Sequence, residues 1–87
     1  MSPKILIVRL GALGDIVHAL PVAAALRERH PDAQIDWLVD RRHAAVLDFV
    51  PAISRRVPVD SRRWGASFGV VRVLRRQRYD VVVDLQG

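Results

Sequence analysis

Lys4-Ile5-Leu6-Ile7-Val8-Arg9-Leu10-Gly11-Ala12-Leu13-Gly14-Asp15 is the stretch that decides the fold. Its first seven residues form an apolar, branched run with no polar alternation. Such a run reads as a strand buried on both faces, the signature of a parallel sheet. Gly11-Ala12-Leu13-Gly14 breaks it. A helical pattern follows, with Ile16, Leu20, Ala23 or Ala24 and Arg27 at 3.6-residue spacing. Asp15 stands where a cap for that helix belongs. Pro21 is awkward, because an interior proline removes a hydrogen bond and crowds the carbonyl four residues back. The pattern therefore predicts a kink there or an irregular first turn. His30-Pro31-Asp32 ends the helix.

Working outward, Gln34-Ile35-Asp36-Trp37-Leu38-Val39 reads as a second strand. Asp40 is placed to cap a short helix over residues 41–49, stopped before Pro51. Residues 55–59 form a short third strand whose Pro58 argues for an edge position. Residues 64–78 have helical spacing, with Phe68, Val71 and Leu74 on one stripe and Gly65 and Gly69 weakening the start. Residues 79–84 give a fourth strand. Strands alternating with helices predict an α/β fold, a Rossmann-like parallel sheet in the order 3-2-1-4. No repeat, linker or low-complexity tract interrupts it.

Composition narrows the class. The 87 residues allow one small domain, and 51% hydrophobic content excludes a disordered chain. The absence of cysteine excludes disulfide scaffolds, thiolate zinc sites and thiol chemistry. No spacing of His and carboxylate suggests a metal site. The apolar run at the start is too short for a secretory signal or a membrane span, which points to the cytoplasm. A fourth strand left as a hydrophobic edge is an aggregation hazard. Residues 1–87 are therefore expected to be part of an amino-terminal domain in a longer enzyme.

Charge is uneven. Residues 1–40 carry four basic and five acidic side chains, and residues 41–87 carry ten and four, a balance of +6. Thirteen of the fourteen basic residues are Arg, in pairs such as Arg41-Arg42, Arg55-Arg56, Arg62-Arg63 and Arg75-Arg76. Arg forks match carboxylate and phosphate, so an anionic partner is one reading; solvated helix faces are the other. Nucleic acid is disfavoured, because aromatics make up only 6% and no binding motif interleaves them with the basic residues.

Ligands of open α/β sheets bind beyond the carboxyl ends of the strands, where strand order reverses. Here that point lies between the first and fourth strands, beside Gly11-Ala12-Leu13-Gly14-Asp15. The segment is neither a G-x-G-x-x-G fingerprint nor a Walker A loop. A carboxylate at this helix start would repel phosphate. It suits the removal of a proton from a hydroxyl. Asp15 thus has two compatible readings, helix cap and general base. His18 lies one turn along, either tuning Asp15 or binding substrate, or serving structure alone. Asp60-Ser61-Arg62-Arg63-Trp64 is a second candidate, since Arg forks bind acids and an indole face stacks on sugars. A solvated helix start is its alternative.

Residues 4–21, with Gly14-Asp15-Ile16-Val17-His18-Ala19-Leu20-Pro21 as the specific part, resemble the opening of the lipopolysaccharide heptosyltransferases, a family (family 9) of GT-B glycosyltransferases. Asp36-Trp37-Leu38-Val39, Arg62-Arg63-Trp64 and Tyr79-Asp80-Val81-Val82-Val83-Asp84-Leu85-Gln86-Gly87 extend the likeness to the whole chain. Gly11-Ala12 departs from it, since family members often carry Ser or Thr there. The resemblance implies two Rossmann-like domains facing a cleft. The amino-terminal domain would hold a Kdo-lipid A acceptor. The carboxyl-terminal domain, absent from these residues, would hold ADP-heptose. It further implies inverting transfer without metal or other cofactor, with Asp15 as catalytic base. Gly11, Ala12, Gly14, His18, Arg62, Arg63 and Trp64 would meet the acceptor, and the basic half would rest against the anionic cytoplasmic face of the inner membrane. A nucleotide- or NAD-binding module of an oxidoreductase is the competing reading, with Asp40 on a ribose. The missing glycine fingerprint speaks against it.

Overall fold

The computed structural model describes residues 2–60 and 75–86. Four strands form one all-parallel sheet: β1 (Lys4–Val8), β2 (Gln34–Asp40), β3 (Arg55–Val59) and β4 (Val81–Asp84), in the order β3-β2-β1-β4. This is the expected α/β arrangement. β3 is an edge strand, as Pro58 required, because a proline cannot donate to a ladder on its outer side. The expected strand over 79–84 begins at Val81 instead. Tyr79 leaves the ladder and turns its ring into the core.

The two central strands explain the unbroken apolar runs. Ile5, Ile7, Ile35, Trp37 and Val39 face α1 (Leu13–Arg29) and pack with Ile16, Ala19 and Ala23. Leu6, Val8, Leu10 and Leu38 face the other way, against Val57, Val59 and Tyr79. A strand with both faces covered has no use for polar alternation. Ala19 and Ala23, four residues apart, let the helix backbone approach the sheet closely.

Pro21 neither ends α1 nor delays its start: the helix runs unbroken from Leu13 to Arg29. Pro21 and Val17, whose carbonyl loses its partner, both lie on the exposed face, where water can take the bond. Arg27 closes the far end of the helix. Its guanidinium donates to the carbonyls of His30, Pro31, Ala33 and Ala52 and to Ser54 Oγ. Residues 41–49 are not the expected capped α-helix. Asp40 Oδ1 accepts the Arg42 N–H at 2.9 Å, making a turn, and a 3₁₀ helix follows over Ala44–Phe49. The carboxylate bonds two residues onward, a local geometry that competes with a helical start. Of the helix expected over 64–78, residues 75–78 are described: 75–77 are helical, and Arg78, at a positive φ of 52°, lies outside the helix.

One buried charge is unexpected. Asp36 is fully buried on β2 and accepts through Oδ2 from Gln34 Nε2 (2.9 Å), Arg55 Nη2 (2.9 Å) and the Tyr79 hydroxyl (2.5 Å). Its Oδ1 has no donor among the described residues. Burial, and next the bond to Asp36, push the Tyr79 hydroxyl up to about 12 against opposition from Arg55. Because the folded-state value is raised, the contribution to stability is whole below pH 10 and is lost as pH climbs toward 12. Denaturant titrations at pH 7 and pH 11 should show this loss in the parent chain and not in Tyr79→Phe. The variant should also be less stable at pH 7 by about 1 kcal/mol, the net worth of one such bond.

Candidate functional site

β1 pairs with β2 on one side and β4 on the other, so the direction of winding reverses at β1. Beyond its carboxyl end the ladder stops and the backbone groups take other partners. The Leu10 N–H donates to Gln86 Oε1 at 2.8 Å. The Arg9 carbonyl accepts from Trp37 Nε1 at 3.0 Å. The Asp40 N–H donates to the Leu10 carbonyl at 3.0 Å. Arg9 spans the reversal point, its Nη1 donating to the Leu85 carbonyl at 2.6 Å.

Asp15 sits at the other end of that arginine. Arg9 Nη2 lies 3.0 Å from Asp15 Oδ2, and the Ala12 N–H donates to the same oxygen at 3.1 Å. The sequence placed Asp15 as the N-cap; the structure corrects this. Ala12 is the N-cap and Asp15 occupies the third helical position, reaching back to the cap N–H. The helix begins two residues before Asp15 because Leu13 and Gly14 join its first turn. An acid here complements the positive helix end. The Ala12 N–H, then the Arg9 hydrogen bond and charge, hold the carboxyl below the usual carboxylate range, with a smaller pull from His18. The side chain is 48% exposed, so this ionised group faces solvent and is not sealed under apolar residues.

Next to it opens a cleft of about 580 Å³ lined by Leu10, Gly11, Ala12, Asp40, Arg42, His43 and Gln86. Asp15 is not among these lining residues; it is tied to one of them by the bond from the Ala12 N–H. The cleft explains Gly11. A Cβ at that position would lie 2.9 Å from His43 Cδ2, so the loop passes against the imidazole only because no side chain intervenes. Gly14 differs: a Cβ there meets nothing within 4 Å. Ala12 lines the cleft, but its N–H is already taken by Asp15. His18 is exposed one turn along α1, and its link to the site among the described residues is a small electrostatic pull on Asp15. Arg62, Arg63 and Trp64 lie outside the described residues.

Four of the paired arginines hold carboxylates of the chain itself. Arg42 pairs with Asp40 (3.0 Å), Arg55 with Asp36 (2.9 Å), Arg41 with Asp60 (3.5 Å) and Arg56 with Asp48 (3.3 Å). Much of the basic character of residues 41–60 is thus matched internally. Three lining or anchoring residues were not singled out from sequence. Arg9 looked like part of a strand, His43 like a helix-end histidine, and Gln86 like a trailing residue. The one available signal was topological: all three flank the carboxyl ends of the central strands. Among the described residues no cluster of His, Cys and carboxylates has the makings of a metal site, and no helix is long and apolar enough to cross a membrane.

The likeness expected from the motifs is borne out over nearly the whole chain. It is 31% identical over 97% of its length to lipopolysaccharide heptosyltransferase 1 of Pseudomonas aeruginosa, covering 26% of that protein. In structure it is similar to a family 9 glycosyl transferase from Veillonella parvula, with TM-score 0.81, 24% identity and coverage of 98% of this chain and 26% of the other. It also resembles heptosyltransferase WaaC of E. coli. In the form solved with ADP the TM-score is 0.76 at 31% identity, covering 93% of this chain and 27% of the other. In the form with ADP-2-deoxy-2-fluoro heptose it is 0.70 at 30% identity, covering 93% and 29%. The chain spans about a quarter of the length of these relatives. No protein-family model matches it.

The contact between Gly11 and His43 makes a local prediction. Gly11→Ala should cost about 1 kcal/mol, the low end of overpacking. In a His43→Ala background that cost should vanish. A double-mutant cycle followed by urea denaturation measures the coupling, and additive effects would show that the loop does not depend on this approach.

Proposed function

We propose that this chain forms the acceptor side of a heptosyltransferase of lipopolysaccharide core synthesis, with Asp15 as the group that takes the proton. One observation carries the reading: an ionised, solvent-facing carboxylate stands at the strand-order reversal, bonded to a cleft-lining residue, with one oxygen that takes no donor from the described residues. Both of its donors go to Oδ2. Oδ1 has no donor among the described residues and points the chemistry to one atom.

The step is a direct displacement. A hydroxyl oxygen of the acceptor sugar attacks the anomeric carbon of ADP-heptose from the face opposite ADP. The new C–O bond forms as the bond to the diphosphate breaks, so the centre inverts. The hydroxyl proton passes to Asp15 Oδ1. A carboxylate held below its usual range is a weak base toward a free alcohol. It suffices here because the hydroxyl becomes strongly acidic as its oxygen gives up electron density to the new bond. The low value ensures that the base is unprotonated at neutral pH. The heptose donor is proposed from the heptosyltransferase relatives and from the ADP-heptose analogue held by WaaC. The rest of such a chain, in the carboxyl-terminal half of a GT-B fold, would supply the groups that hold ADP.

The Kdo-lipid A acceptor is the finer part of the proposal. Kdo carries a carboxylate and lipid A carries phosphates, which suits a chain of net charge +5. With Arg41, Arg42, Arg55 and Arg56 engaged internally, Arg62 and Arg63 are the residues proposed to meet those acids, with Trp64 against a sugar face. The same charge would favour the anionic cytoplasmic leaflet of the inner membrane.

In the full chain, Asp15→Asn should lower kcat roughly 10²–10⁴-fold with little effect on folding, as for loss of a general base. A near-parental rate would remove Asp15 from the reaction. Residues 1–87 by themselves should not transfer heptose, since the donor has no holder. Transfer from ADP-heptose by the isolated chain would overturn the division of labour.

A further inference from the structure

Arg9 makes three connections at the site, two through its guanidinium and one through its backbone carbonyl. Its guanidinium holds Asp15 Oδ2 through Nη2 at 3.0 Å and the Leu85 carbonyl through Nη1 at 2.6 Å. Its own carbonyl is fixed by Trp37 Nε1 at 3.0 Å, and Trp37 is fully buried. The arginine side chain is only 20% exposed, so it is partly shielded from water and less screened than a surface pair. A planar fork set on two acceptors in two elements has one orientation. It therefore fixes the carboxylate plane relative to β4 as well as β1.

We infer that Arg9 is a positioning residue: by binding Asp15 Oδ2 while anchored on the Leu85 carbonyl, it leaves Asp15 Oδ1 as the single oxygen turned to the acceptor hydroxyl. This rests on the reading of Asp15 as proton acceptor. Without Arg9, the Ala12 N–H alone would hold the carboxylate. One bond fixes an oxygen and leaves the plane free to turn, so either oxygen could face the cleft and the productive orientation would be diluted. Gln86 supports the same arrangement from just after β4, because its Oε1 pins the Leu10 N–H next to Arg9.

Arg9 also lends its charge to the carboxylate, and this separates positioning from mere structural support. Three versions of the full chain should be compared: parent, Arg9→Gln and Arg9→Lys. Arg9→Gln should lose about ten- to a hundredfold in kcat, the worth of a charge-assisted bond, with little change in acceptor KM. The acid limb of its kcat–pH profile should move to higher pH, because the base protonates more easily once the cation is gone. Arg9→Lys should return the acid limb to its parental place and recover only part of kcat. An ammonium restores the charge; it cannot hold both acceptors in one plane.

An acid limb unmoved in Arg9→Gln, or a loss confined to KM, would overturn the inference. Carbon-13 titration of the Asp15 carboxyl in the chain reads the pair without turnover. Its midpoint should rise in Arg9→Gln and return in Arg9→Lys, and a midpoint unmoved by Arg9→Gln likewise overturns the inference. Asp15→Asn at the parental rate overturns the base reading and this inference together. An inactive Asp15→Asn with an unmoved limb and midpoint overturns the role of Arg9 alone.

Discussion

A central parallel strand must leave its sheet somewhere, and when it does its backbone polar groups lose the ladder. Buried N–H and C=O groups without partners are costly, so other atoms have to meet them. At the end of β1 this need is met by Gln86 after β4 and Trp37 on β2, while Asp15 on the first turn of α1 takes the exposed Ala12 N–H at the helix start. The site follows from that constraint. The carboxylate that accepts from the Ala12 N–H is thereby tied to the cleft wall. The arginine that leaves the strand next to it is thereby placed between two acceptors. Structural satisfaction and chemical placement use the same bonds.

The ordering of the sheet adds the second ingredient. Strand order reverses at β1, and in open parallel α/β sheets a crevice forms at such a point beyond the carboxyl ends of the strands. The cleft occupies that space. At one side of it Gly11 lets the loop pass close against His43, where any side chain would collide with the ring. The result is an open cleft of mixed polar and apolar lining, with an ionised acid one hydrogen bond away from its wall. That combination suits a hydroxyl substrate better than a phosphate, which would meet the Asp15 charge head-on. It also differs from the nucleotide cradle of an NAD enzyme, whose glycines bring backbone N–H groups onto the pyrophosphate. Here the Leu10 and Ala12 N–H groups are already spent on the protein.

Much of this was legible in the residues. The apolar runs of β1 and β2 carried no alternation, and burial on both faces is why. Pro58 marked an edge strand. Asp15 could be read as an acid at the helix start, and it faces solvent there. What sequence could not give was position to within a turn. The helix absorbed Leu13 and Gly14, which moved Asp15 from cap to third position and gave its oxygen a different partner. Arg9 was hidden because it reads as the ragged end of a hydrophobic run. His43 and Gln86 were hidden because their roles depend on segments more than 30 residues away in the chain. Tyr79 read as the start of a strand, while the buried charge of Asp36, invisible in a hydrophobicity pattern, draws its hydroxyl inward.

The most direct measurement is a crystal structure of the full chain with its sugar acceptor and an unreactive fluorinated ADP-heptose bound together. The expected result places the attacking hydroxyl oxygen about 2.6–3.2 Å from Asp15 Oδ1, with Arg9 still on Oδ2. An acceptor hydroxyl lying beyond reach of that oxygen, even through one water, and directed at a different basic group would contradict it.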